Sequence, residues 1–186
     1  MNSERLRALF ESAATFEDLL ARPKTNGDLW AAIYARAAIK PESIARISRI
    51  VRTWHFLVLS EDWCGDSINI LPVIARFVEA AASVDMRIIG RDDHSELMIE
   101  HLTGAKRSRS IPVVILLDSD FMEQAWWGPR PTELQDWVVR EGLALPTVER
   151  YRQIRTWYAR DKGQTIVTEL LQMIERLDGR NGKTAD

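Results

Sequence analysis

Two short, uninterrupted apolar runs fix the class of fold open to this chain: His55-Phe56-Leu57-Val58-Leu59 and Pro112-Val113-Val114-Ile115-Leu116-Leu117. Each has the length of a strand; the first predicts a central strand covered on two faces, and the second a strongly apolar strand rich in β-branched residues. Helical periods lie between and around them. Ile70, Val73, Ile74, Phe77 and Val78 form one apolar stripe and predict a helix over 65–81. Residues 86–89 read as a further short strand. Asp93 and Glu96 resemble a capping box for a helix through Leu97, Met98 and Leu102, ended by Gly104. Asp118-Ser119-Asp120 is a turn after the second apolar run, and 121–127 then returns as the second strand of a hairpin. The order β-α-β-α-β-β-α follows, an α/β class with a mixed central sheet and a right-handed βαβ crossover.

The ends of the chain read as helices. Leu6, Leu9 and Phe10 recur at helical spacing, Thr15 and Asp18 form a capping pair before Leu19 and Leu20, and 23–27 is a break. Pro41 suits the first position of a helix carrying Ile44 and Ile47. Beyond the hairpin, helices are expected from Pro131, over 148–160 and over 166–177, with a polar tail at 179–186. The expected organisation is one domain: a helical N-terminal extension (1–52), a core (53–142), C-terminal helices (143–178) and the tail.

Composition excludes several functions. A formal charge of −2, mixed in sign along the chain, offers no basic surface for nucleic acid. The apolar stretches are too short for a membrane span, and the N-terminus lacks the apolar core of a signal segment, so a cytoplasmic location is expected. The chain has a single cysteine, Cys64. An intramolecular disulfide and a multi-cysteine zinc site are thereby excluded, and neither metal nor cofactor is implied. Any redox chemistry runs through Cys64.

Cys64 falls in Trp63-Cys64-Gly65-Asp66-Ser67, at the turn from the first strand into the following helix. Free amide groups and the positive dipole end of a helix stabilise an anion there and favour a thiolate. Trp63-Cys64-Gly65 after a hydrophobic strand resembles the Trp-Cys-Gly-Pro-Cys signature of the thioredoxin superfamily. Pro72 matches the proline within that family's active-site helix. Ile111-Pro112 matches its cis-proline, and Gly128 a further family glycine. The Asp66 variant and the flanking helices look most like a bacterial thioredoxin-like group with a Trp-Cys-Gly-Asp-Cys loop. The resemblance spans about 54–140 and implies a thioredoxin-like fold. It implies Cys64 as attacking thiol, Trp63 and Gly65 as surface for a substrate, and Ile111 and Pro112 as the segment that pairs with an extended substrate. Asp66, also counted with the substrate-binding residues, complements the helix N-terminus but sets a carboxylate near the thiol, which disfavours a thiolate.

Two departures narrow the chemistry. Ser67 stands where the resolving cysteine of a dithiol cycle would be, and a hydroxyl cannot perform sulfur exchange. It can only donate a hydrogen bond to Cys64. Val58 occupies the position of the buried acid that assists the resolving step in thioredoxins. The expected activity is therefore that of a monothiol thiol–disulfide oxidoreductase. Its partner would be a protein or low-molecular-weight disulfide, glutathione-like among them, with an external thiol completing the exchange. The alternative is a non-catalytic thioredoxin-fold interaction or redox-sensing module. A glutathione transferase would place this core first with a larger helical domain after it, and a peroxiredoxin would approach its cysteine through a threonine-containing segment. Among the remaining candidates, His55, His94 and His101 read as structural. Trp126 and Trp127 should point to opposite faces of their strand, and Lys106, Arg107 and Arg109 read as a solvated loop, with glutathione-like recognition the minor option.

Overall fold

The computed structural model describes residues 1–22 and 26–181. Part of the expected break at 23–27 and most of the expected tail lie outside them. In chain order the elements are α1 (Ser3–Ser12), α2 (Phe16–Ala21), α3 (Gly27–Arg36), α4 (Pro41–Ile47), β1 (Trp54–Ser60), α5 (Gly65–Glu79), β2 (Val84–Gly90) and α6 (Ser95–Glu100). There follow β3 (Val113–Leu117), β4 (Glu123–Trp127), α7 (Thr132–Arg140), α8 (Thr147–Asp161) and α9 (Gln164–Asn181), with a 3₁₀ turn at Gly142–Ala144 between α7 and α8. The sheet order is β2-β1-β3-β4; β1 and β2 are parallel, and the other two pairings are antiparallel. This is the expected mixed sheet, a thioredoxin-like α/β architecture.

The uninterrupted apolar run of β1 has a direct cause. Phe56 and Val58 enter one core with Trp30, Ile70, Ile74, Phe77, Leu170 and Ile174. Leu57 and Leu59 enter the other, with Leu6, Phe10, Leu97, Met98 and Ile115. Successive strand residues point to opposite faces, so residues 56–59, buried on both sides, offer no solvent-facing position for a polar residue. Each such side chain contributes about 1.5–3 kcal/mol of transfer free energy.

The flanking helices are part of these cores. Trp30 of α3, Ile47 of α4 and the following Ile50 lie in the same cluster as β1 and α5, as do Ile166, Leu170 and Ile174 of α9. Thr15 and Asp18 make the expected reciprocal capping box at α2, and Pro41 is the first residue of α4. The reading of α6 needs correction at both ends. His94, not Asp93, holds the N-cap position, and it makes no side-chain cap bond. The helix stops at Glu100, while Gly104, with φ +66°, belongs to a separate turn closed by the Thr103–Ser108 bridge. The hairpin strand is also shorter than expected: Phe121, at φ +58°, lies in the turn. Among the described residues, no helix is long and apolar enough to cross a membrane.

Candidate functional site

The site forms where β1 runs out and α5 begins. Cys64 is the N-cap of α5; its amide donates to the Glu61 carbonyl at 3.2 Å and its carbonyl accepts from the Ile68 amide at 3.0 Å. These bonds fix the turn and leave the thiol at the helix N-terminus; the Cys64 residue as a whole is 8% exposed. Its Sγ lies 3.5 Å from the Ile111 carbonyl oxygen. The turn into α5 and the entry to β3 thus meet at the thiol; the Ile111–Pro112 peptide there is cis. Trp63, one residue before Cys64, is 54% exposed, and the Arg91 guanidinium sits 5.1 Å from its ring centre. A Cβ built on Gly65 would meet nothing within 4 Å. The internal packing therefore does not demand glycine at 65; the space beside the thiol is open.

Gly128 is constrained in the opposite way. Its φ is +131°, and a Cβ would come 2.3 Å from the Pro112 carbonyl oxygen. The end of β4 thus rests directly on the segment that faces Cys64, and only glycine permits that approach.

Asp66 departs from the sequence reading. It is 7% exposed and turned into the protein. Its Oδ1 accepts from Arg130 Nε at 3.0 Å and from the Tyr158 hydroxyl at 2.9 Å, and its Oδ2 from Arg130 Nη2 at 2.5 Å. Arg130 also donates to Gln135 Oε1 at 2.9 Å. The carboxylate beside the thiol is therefore paired with a guanidinium rather than left as an isolated negative charge. Burial opposes the charge on Arg130, yet the Asp66 carboxylate holds its pKa above the usual value. Burial, and then the Asp66 charge, push the Tyr158 phenol well above its ordinary range, so it stays a donor.

Ser67 also differs. Its side chain is fully buried and its Oγ has no hydrogen-bond partner, so the bond expected toward Cys64 is not made in this state. Val58 is fully buried between Ile88 and Val114 of the neighbouring strands. The position of the assisting acid is thus filled by a core aliphatic residue.

The structure brings Cys64, Gly65, Ile111 and Pro112 to one place, sets Trp63 at its rim, and directs Asp66 and Ser67 inward. Three contributors escaped the sequence reading. Arg130 lies between two prolines in Gly128-Pro129-Arg130-Pro131, and Tyr158 lies inside an ordinary amphipathic helix. The one available signal was Asp66 itself, because a carboxylate in the first turn of a buried helix requires a cation. The third is Trp30, whose Nε1 donates to the Asp62 carbonyl at 3.2 Å and holds the loop before Cys64 from the N-terminal side. Two of the histidines, His55 and His101, have structural contacts. His55 stacks on Phe121 with ring centres 4.4 Å apart. His101, the C-cap of α6, is buried, with Nδ1 2.8 Å from the Leu97 carbonyl and Nε2 2.9 Å from Glu123. Trp127 is buried and donates to Glu169 of α9 at 2.6 Å, while Trp126, across the strand, packs edge-on to His101.

A mixed sheet of this order, with a lone thiol at the N-terminus of the helix after β1 and a proline-opened strand facing it, defines a thioredoxin-like protein. The family comparison agrees: a family model described as Thioredoxin matches residues 13–153, more than half of the chain, and the chain belongs to that family. The match reaches into the N-terminal extension, well before the expected core. Among solved structures, a protein of unknown function from Pseudomonas aeruginosa, PA1234, is similar at 19% identity and a TM-score of 0.73, covering 95% of this chain and 99% of its own. An HIV epitope-scaffold is similar at 18% identity and a TM-score of 0.71, covering 91% of this chain and 96% of its own. At these identities the likeness is one of fold. No curated protein matches.

Proposed function

We propose that this protein is a monothiol thiol–disulfide exchanger acting through Cys64. The observation that carries the reading is the position of the Cys64 Sγ: at the N-terminus of α5, against the Ile111 carbonyl, beside open space at Gly65. The reacting form is the Cys64 thiolate, its proton passing to solvent. The thiolate attacks one sulfur of a partner disulfide, a Cys64–sulfur bond forms, and the second sulfur leaves as a thiolate. With serine at 67, no internal group releases the adduct. An external thiolate then attacks the partner's sulfur, making a new disulfide and returning Cys64 as thiolate. Ser67 is compatible with this reading: its hydroxyl is fully buried without a hydrogen-bond partner, and a hydroxyl cannot take the place of the resolving thiol. Substrate residues would pair with the backbone at Ile111 and Pro112 and rest against Trp63.

Affinity capture from a cell extract under non-reducing conditions tests the proposal. Wild type is expected to hold partners that a small thiol releases, and Cys64→Ser to hold none of them. Capture unchanged by Cys64→Ser would instead establish a non-catalytic interaction module.

A further inference from the structure

The junction of α7 and α8 holds a cavity that the reading of Cys64 leaves without a role. Its volume is about 330 Å³, and it is lined by Leu134 and Trp137 from α7 and by Arg152, Gln153, Trp157 and Arg160 from α8. Helical spacing accounts for the grouping. Residues 153, 157 and 160 share one face of α8, and 134 and 137 share one face of α7. Two indoles thus border a common, half-open space.

Of the two arginines that line it, only Arg152 has a carboxylate partner among the described residues. Arg152 donates twice to Glu149, at 2.8 and 2.6 Å, and Gln153 donates to the same carboxylate at 2.8 Å. Asp161, next to Arg160 in the chain, accepts instead from the Thr165 amide at 3.2 Å and hydroxyl at 2.5 Å, at the start of α9. Arg160 is left without a carboxylate partner among the described residues. We propose that this cavity binds a small anionic aromatic molecule, its ring against Trp137 and Trp157 and its carboxylate, sulfonate or phosphate on Arg160. Each half of that ligand answers a feature of the wall: indoles favour an aromatic ring in stacked or edge contact, and an unpaired guanidinium favours a planar or tetrahedral oxyanion. An aromatic cation would meet Arg160, and a non-aromatic anion would forgo both rings. The proposal does not rest on thiol chemistry.

Titration of the full chain with 8-anilinonaphthalene-1-sulfonate, followed by the dye's fluorescence, tests it. One saturable site is expected. Arg160→Gln should weaken it about tenfold, the scale of one charge-assisted hydrogen bond. Val148→Ser, which removes an exposed apolar side chain that does not line the cavity, should leave it unchanged. The uncharged N-phenyl-1-naphthylamine should bind wild type about tenfold more weakly, a comparison that needs no variant to fold. Absence of saturable binding, equal affinity for the two dyes, or a folded Arg160→Gln chain with wild-type affinity would each overturn the proposal.

Discussion

Asp66 is the residue on which the electrostatics of the site turn. A buried carboxylate next to the chain's single thiol requires compensation, and Arg130 with Tyr158 supplies it. Arg130→Met leaves that charge buried and unpaired, and a loss of about 3–5 kcal/mol in urea unfolding is expected. Tyr158→Phe removes one hydrogen bond to a charged group and should cost about 1.5–3 kcal/mol. Adding Asp66→Asn to Arg130→Met should recover part of the loss; strictly additive losses would show that the three groups do not act as a cluster. Gly128→Ala places a methyl on the Pro112 carbonyl at a left-handed φ, and a loss of at least about 1–3 kcal/mol is expected in the same assay. The neighbourhood of Cys64 was legible in the sequence because its motif, Pro72 and Pro112 fall in chain order on successive elements. The Asp66 cluster was not, because its partners stand 64 and 92 residues away, and periodicity does not reveal which buried faces will meet.

At the scale of elements, β1 and α5 were readable from their apolar patterns, whereas α6 was misread at both ends. A capping pair read from spacing requires the chain to enter the helix at Asp93, but the backbone enters one residue later. The C-terminal end of α6 is held instead by His101, a residue read from the sequence only as structural. Burial opposes its protonation, but the hydrogen bonds to Glu123 and to the Leu97 carbonyl raise its pKa above the ordinary value. A base whose pKa is raised by folding adds stability that is complete below its unfolded value, about 6.5, and is lost as pH rises through the folded one. The stability difference between wild type and His101→Leu, followed by thermal unfolding, should therefore shrink as pH rises above about 6.5. A difference independent of pH would mean that the Glu123 contact involves a neutral ring. His55 has the opposite sign: burial lowers its pKa, so its contribution is lost on acidification.

At the scale of the whole molecule, the helices outside the sheet region are structural parts of the site rather than appendages. Trp30 of the N-terminal extension holds the Asp62 carbonyl in the loop before Cys64, and Ile47 and Ile50 complete the core around α5. Tyr158 of α8 reaches Asp66 from the C-terminal side. A chain beginning at residue 53 is thus expected to lose cooperative thermal unfolding, because it would expose the α3 and α4 side of that core; a sharp transition in the truncated chain would show the extension to be dispensable. Strand and helix types, and the lack of a flexible linker before β1, were legible along the sequence; which side chains interlock across that junction was not, because periodicity marks buried faces without saying which of them meet. The central claim, a reactive thiol that cannot release its own adduct, is tested most directly by intact-mass measurement after treatment with glutathione disulfide. The account predicts one glutathione on Cys64 of the wild-type chain, stable until a small thiol is added, and self-released in Ser67→Cys. An unmodified Cys64 in the folded wild-type chain would contradict it.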